Sequence, residues 1–435
     1  MRNARRPGAL AILVAMGAAG WSNAAETPPL AERIDRVFAR YQQGDVPGVI
    51  VGIARDRRIV HARGYGRASL EHGIPLAAET ISESGSVAKQ FTAAAVALLA
   101  VRGQLSLDDP IRRHLPELGT VADAITVRML LNHTSGLRDI HGLFDLLGRP
   151  SYASPHTNQE VLHVMSRQRQ LNFTPGAEYV YCNAGYILAA LIVERTSRTS
   201  FNAFCTEHLF RPRGMARTRW RDDFAVVLPG RATGYAPRPA GGFRIDLPYS
   251  DLVGNGGLLT TVGDLLAWTL SFDGATGEWA EVVRLLETPS RLRDGRVLAY
   301  GLGLGLERYE GLREVYSGST GFDTKTYEHI KNWYDTQAWL PKNAVIVNKA
   351  AFDALDAPTK QALLKAAADA EVRGLAASKK TNTDSLDKLK ANGMNILPPP
   401  PQLSADMKKV GETMLKEWLD KAGPEGKQLV DAFNK

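Results

Sequence analysis

Ser86 and Lys89 stand three residues apart in Ser86-Val87-Ala88-Lys89, and between Met1 and Thr324 Lys89 is the only lysine against 35 arginines. A guanidinium stays charged, so it cannot take up a proton in catalysis; a lysine amine can, once burial or neighbours lower its pKa. A serine hydroxyl beside such an amine is a candidate nucleophile. The spacing alone fits an N-cap serine and a surface lysine equally well. A second pair lies in Tyr181-Cys182-Asn183, after a Thr174-Pro175-Gly176 turn and before a helical run from Ala184 to Glu194. Residues two apart in an extended segment point to one side, so a phenol and an amide would enter one cleft. A phenol beside an ammonium has its pKa lowered, which suits a general base. Standing alone, this second motif is a buried tyrosine followed by a turn asparagine.

Such residues need elements to hold them. Spacing over 86–101 puts Val87, Phe91, Ala94, Ala95 and Leu98 on one stripe and predicts an amphipathic helix that ends near Gly103. Ser86 would open it, with its Oγ at the positive end of the dipole and Lys89 on the same face. A helix is expected over Ala31–Tyr41. A hairpin is expected from Gly48–Ala54 and Ile59–Ala62 around Asp56-Arg57-Arg58. Residues 105–290 read mainly as helices, with a capping-box pattern at Thr261–Asp264. Strand character returns at Arg296–Glu307. Strands at both ends with helices between them predict an α+β fold: an antiparallel sheet built from both ends plus a helical domain.

The N-terminus carries Arg2, Arg5 and Arg6, an apolar run from Ala9 to Gly20, and small residues at Ser22-Asn23-Ala24. That is a secretory signal over 1–24, too short to anchor in a bilayer, so a periplasmic or secreted protein is expected. Net charge is +7, with +4 from residues 1–324 and +3 from the rest, and no basic stripe carries interleaved aromatics. Nucleic acid is therefore not an expected partner. The two cysteines, Cys182 and Cys205, cannot frame a domain of this size and read as reduced, buried thiols. No metal-ligand spacing occurs, and no cofactor is expected.

Together, Ser86-x-x-Lys89 and Tyr181-x-Asn183 resemble the serine β-lactamase and penicillin-binding protein superfamily, in its class C-like branch of esterases, D-aminopeptidases and lactamases. Gly103-Gln-Leu-Ser-Leu-Asp-Asp-Pro110, Leu130-Leu-Asn-His133-Thr-Ser-Gly136-Leu137, Pro175-Gly176 and Gly254-Asn-Gly-Gly257 follow in the family's order, over about residues 30–316. The resemblance implies a β-lactamase/transpeptidase-like fold. It implies a serine hydrolase that forms an acyl-enzyme on an ester, amide or β-lactam of a small molecule or short peptide. Ser86 is then the acylated nucleophile, Lys89 eases its deprotonation, Tyr181 is base and then acid, and Asn183 holds the substrate. His133 is structural in that pattern. A third motif belongs on a later edge strand, where the chain has Tyr316-Ser317-Gly318-Ser319. Tyr316, Ser317 and Gly318 would contact the substrate, and the N–H groups of Ser86 and Ser319 would form the oxyanion hole. Tyr316 stands where the family has a cation.

After Thr324 the composition inverts, to 16 lysines against the single Arg373. Residues 317–435 are similar to the C-terminal third of a solute-binding protein of tripartite, ATP-independent periplasmic transporters, without the central arginine through which such proteins hold carboxylates. The expected tail is mainly helical: Tyr327–Trp339, Thr359–Ala377, 404–421 and 424–434, with a short strand at Asn343–Asn348 and an extended break at Pro398–Pro401. The chain thus reads as a hydrolase domain cut at its third motif and joined to a solute-binding fragment. The other readings are a carboxylate-binding transporter component and an inactive hybrid of the two.

Overall fold

A computed structural model describes residues 29–150, 154–238, 241–309 and 312–316, and further along 332–334, 352–369, 372–373, 376, 383 and 395–433. The expected signal segment 1–24 lies outside the described residues. The chain forms two compact units, Met1–Gly318 and Ser319–Lys435.

The first unit opens with α1 (Leu30–Val37), then the antiparallel hairpin β1 (Val49–Arg55) and β2 (Arg58–Tyr65). Asp56 and Arg57 both take positive φ, 50° and 60°, the turn geometry that matches strand twist. Asp35 of α1 accepts hydrogen bonds from Tyr65 Oη and Arg63, both at 2.7 Å, and so ties the helix to β2. Short strands β3 (Arg67–Ser69), β4 (Ile74–Pro75) and β5 (Ser82–Glu83) lead to a 3₁₀ turn, Gly85–Ala88, and then α2 (Lys89–Val101). The expected amphipathic stripe on α2 is not what the fold uses. Every residue from Lys89 to Leu99 is buried. Alanine carries no sidedness, and a helix buried all round sits in the middle of a domain. Gly103, at φ 68°, ends it where expected.

Helices α3 (Val127–Leu131), α4 (Ile140–Leu146), α5 (Asn158–Ser166), α6 (Asn183–Ser197) and α7 (Phe201–Cys205) follow. In α6 the whole span Ala184–Val193 is buried. The expectation of mainly helices over 105–290 holds, though it does not cover everything there. The span also holds β6 (Arg219–Trp220), β7 (Tyr235–Pro237), β8 (Phe243–Ile245) and β9 (Leu258–Thr260), before α8 (Val262–Leu270) and α9 (Gly277–Leu286). Strand β9 lies between β5 and β6 in a three-stranded antiparallel sheet. Thr261 caps α8 through the Asp264 N–H, but no reciprocal box forms: Asp264 accepts instead from the Arg217 N–H and the Thr218 hydroxyl. Strands β10 (Gly305–Tyr309) and β11 (Leu312–Tyr316) form an antiparallel pair late in the unit. Among the described residues, β1–β2 and β10–β11 are each two-stranded.

In the second unit β12 (Asn332–Tyr334) and β13 (Asn395–Leu397) pair in parallel. The aromatic stretch expected to be helical is therefore a strand over its described part. Residues 357–369 are helical, and 398–400 belong to no regular element before a helix at Pro401–Phe433 that breaks at Gly423 (φ 63°). Proline at the first helical position lacks only an N–H that would be unpaired there anyway. The expected strand at Asn343–Asn348 lies outside the described residues.

Candidate active site

The 3₁₀ turn brings Ser86 to a half-buried position one turn ahead of Lys89, the first residue of α2. Lys89 is 1% exposed. Its Nζ lies 2.7 Å from the Asn255 carbonyl oxygen, 2.9 Å from Asn183 Oδ1 and 3.1 Å from Ser86 Oγ. Burial lowers its pKa from 10.5 to about 7, against the opposing pull of Asp139. A neutral amine has two N–H groups and one lone pair. The two shorter partners are amide oxygens, which only accept, so they take both N–H groups. The lone pair then faces Ser86 Oγ. An amine so held against a serine hydroxyl has the geometry needed to accept its proton.

Tyr181 reaches the same hydroxyl from the other side, with its Oη donating to Ser86 Oγ at 2.8 Å. Here the sequence expectation fails on electrostatics: the phenol is raised, not lowered, because burial outweighs the stabilising bond to Ser86. Lys89 gives up its charge to burial and so offers Tyr181 little cationic support. Tyr181 therefore stays protonated as a donor.

The segment that carries Tyr181 rests on His133, whose φ is 61°. Its Nδ1 accepts from the Cys182 N–H at 3.1 Å, and its carbonyl accepts from the Val180 N–H. With Nδ1 accepting, Nε2 carries the proton and faces the Tyr300 hydroxyl at 3.3 Å. Burial, with the Lys89 charge second, lowers the imidazole pKa to about 3, so the ring is neutral packing 4.3 Å from that of Tyr181. Its expected structural role agrees with this setting. Cys182, between the two cleft residues, turns away and contacts the Arg138 carbonyl. Both cysteines are buried and free.

Sequence reasoning missed two groups. Asp139 accepts from the backbone N–H of Asn183 at 2.7 Å and from its Nδ2 at 3.1 Å. The Asn255 carbonyl is held by a glycine loop. Gly254 has φ 102°, and a Cβ there would lie 2.5 Å from the Tyr186 carbonyl oxygen. The Gly254 carbonyl accepts from Thr92 of α2 at 2.8 Å. A backbone oxygen has no signature in sequence beyond the glycines around it. Beside Asn255 a cleft of about 300 Å³ opens, lined by Glu83, His141, Asp145, Arg221 and Gly256 among others. Of the expected third motif, Tyr316 is the last residue of β11 and its backbone pairs with Gly305. Ser317, Gly318 and Ser319 lie outside the described residues.

The sequence profile of the Beta-lactamase family matches residues 34–347. The chain belongs to the Beta-lactamase family. A D-aminopeptidase of Brucella anthropi is 32% identical over 271 residues, 61% of this chain and 50% of the relative. A D-aminopeptidase of Cereibacter sphaeroides is 27% identical over 279 residues, 62% of this chain and 52% of the relative. The chain thus spans about half the length of the curated relatives it matches. An octameric penicillin-binding protein homologue from Pyrococcus abyssi superposes with a TM-score of 0.57 at 26% identity, over 67% of each chain. The D-amino acid amidase from Ochrobactrum anthropi SV3 shares the fold, with a TM-score of 0.55 at 24% identity over 66% of this chain and 83% of that one. This β-lactamase-family chain carries a second match as well: the profile of bacterial extracellular solute-binding proteins, family 7, covers residues 315–421. Among the described residues, no helix is long and apolar enough to cross a membrane, and no cluster of three His, Cys, Asp or Glu side chains could hold a metal ion.

Proposed function

We propose that the protein is an exported serine hydrolase that forms an acyl-enzyme at Ser86 on an amide or ester of a small molecule or short peptide. The observation that carries this reading is the position of Lys89 Nζ, 3.1 Å from Ser86 Oγ and bonded to two amide oxygens that can take both N–H groups of its neutral form. Lys89 takes the serine proton as Oγ bonds to the acyl carbon. Tyr181, already donating to Oγ, is the proton source for the departing amine or alcohol, and the Lys89 ammonium, 4.7 Å from the Tyr181 ring centre, returns that proton to the phenolate. Water then releases the acyl group by the reverse sequence. This assignment exchanges the base expected from sequence, Tyr181, for Lys89. The D-aminopeptidase relatives support an amide substrate with a D-configured residue at the scissile bond. Asn183 and the cleft beside Asn255 are its proposed contacts; by the resemblance in sequence, Tyr316, Ser317 and Gly318 are proposed as further substrate contacts and the N–H groups of Ser86 and Ser319 as the oxyanion donors. The arginine-led N-terminus of 1–24 and the solute-binding match support a periplasmic or secreted location.

A fluorophosphonate probe read by intact mass tests the nucleophile. One adduct is expected on the native protein and none on Ser86→Ala. An adduct that survives in Ser86→Ala sinks the assignment.

A further inference from the structure

Asp139 is the N-cap residue of α4, and aspartate is among the side chains best suited to that position. Yet its carboxylate makes no capping bond to its own helix. It turns to α6, 44 residues on, where the N-cap residue Cys182 offers no side-chain cap. There Oδ1 accepts from the Asn183 N–H at 2.7 Å and from Asn183 Nδ2 at 3.1 Å, with Oδ2 at 3.4 Å from the same nitrogen. The other end of that amide, Oδ1, accepts from Lys89 Nζ at 2.9 Å. A flipped amide would set its NH₂ against the lysine N–H groups and its oxygen against a carboxylate. Both ends would then be repelled, so the carboxylate fixes which way the amide points.

We propose that Asp139 is a positioning residue for the Ser86–Lys89 pair: it locks the Asn183 carbonyl onto Lys89 and is the anion that offsets part of the burial of the amine's charge. The proposal rests on the reading of Lys89 as base. The groups that face Lys89 bear on the second part. They are Ser86, Tyr181 and Tyr186, His133 and Asn183, while the Cys182 thiol turns away but still acts on Lys89 through its charge when ionised. Burial raises both phenols and the thiol and lowers the imidazole, so all four are neutral near pH 7. Asp139 is the charge left to oppose the desolvation of Lys89.

Two variants separate charge from geometry. Asp139→Asn keeps an acceptor oxygen at the Asn183 N–H groups and removes the anion. Asp139→Ala removes both. The primary readout needs no turnover: the ¹³Cε shift of Lys89 in lysine-labelled full-length protein, followed against pH and assigned by its absence in Lys89→Met. In Asp139→Asn the midpoint should fall by at least half a pH unit, and the acid limb of Ser86 acylation should move with it. In Asp139→Ala, acylation measured above both midpoints should fall at least tenfold. An unchanged midpoint in Asp139→Asn overturns the electrostatic role, and acylation within twofold of the native rate in Asp139→Ala overturns the positioning role. If native protein shows no adduct at Ser86, the proposed hydrolase function fails, while the titration still decides what Asp139 does to Lys89.

Discussion

A buried lysine that gives up its charge near neutrality imposes a cost on the fold that carries it. The unfolded chain binds the proton with the ordinary pKa of 10.5, the folded one with about 7. Below pH 10.5 the unfolded state therefore holds more protons. Stability is lost as pH falls towards 7, and no further loss follows below it. At about 1.4 kcal/mol per pH unit, native protein should lose roughly 2–3 kcal/mol relative to Lys89→Met between pH 9 and pH 7. Urea denaturation of both proteins at the two pH values measures this, and a constant difference would mean that Lys89 is not desolvated in the folded state. The proposed catalysis has the same sign: acylation through Lys89 needs the free amine, so its rate should climb through pH 7 and level above it. On the proposed function, the same burial that weakens the fold supplies the base, a local instance of function maintained against stability.

At the scale of elements, the site is the meeting of two helix N-termini, α2 and α6, with the loop that precedes β9. Gly254 lets that loop lie on α6, because its φ of 102° and the 2.5 Å separation from the Tyr186 carbonyl leave no room for a Cβ. Gly254→Ala should push the Asn255 carbonyl away from Lys89, destabilise the fold by about 2–4 kcal/mol and slow acylation at least tenfold. Thermal unfolding together with probe labelling checks both effects. A variant of native stability and native labelling would show that the loop has slack that the contacts do not reveal.

Ser86, Lys89, Tyr181 and Asn183 are legible in the sequence because their side-chain types suit the proposed chemistry and their spacings belong to helix starts, and the structure brings the four together. Asp139 is not, since an aspartate before a helix reads as that helix's own cap. The Asn255 carbonyl had no side chain to announce it. Strands β5, β6 and β9 are two or three residues long, too short for an alternation to register, so β6 and β9 fall inside the span that reads mainly as helices and β5 leaves no signal. The all-round burial of α2 escaped a stripe-based reading because its alanines fit either face.

The two units differ at the scale of the whole molecule in composition and in burial. The apolar core runs from Ala88 to Leu304, wholly within the first unit. Among the described residues of the second unit only Gly426 is buried. Lysine is distributed the opposite way: Lys89 is the first unit's only lysine and is 1% exposed, while Lys365, Lys408, Lys409, Lys416 and Lys427 are exposed. A protease that cuts only after lysine therefore reads the division directly. Cleavage of native protein needs an accessible, locally opened chain, and Lys89 sits at the start of a helix buried on every side. Lysyl endopeptidase under native conditions should remove the lysine-rich region stepwise and stop at a fragment that ends no earlier than Lys325, with the Val87–Val101 segment intact. Intact mass gives the endpoint. If the tail contributes nothing to the acylation machinery, the trimmed fragment should take up the fluorophosphonate probe at the native rate. If its rate falls tenfold or more, residues beyond Lys325 supply part of the site, and the reading of the tail as a separate solute-binding fragment fails. Early cleavage at Lys89 would contradict the buried position from which the proposed chemistry follows.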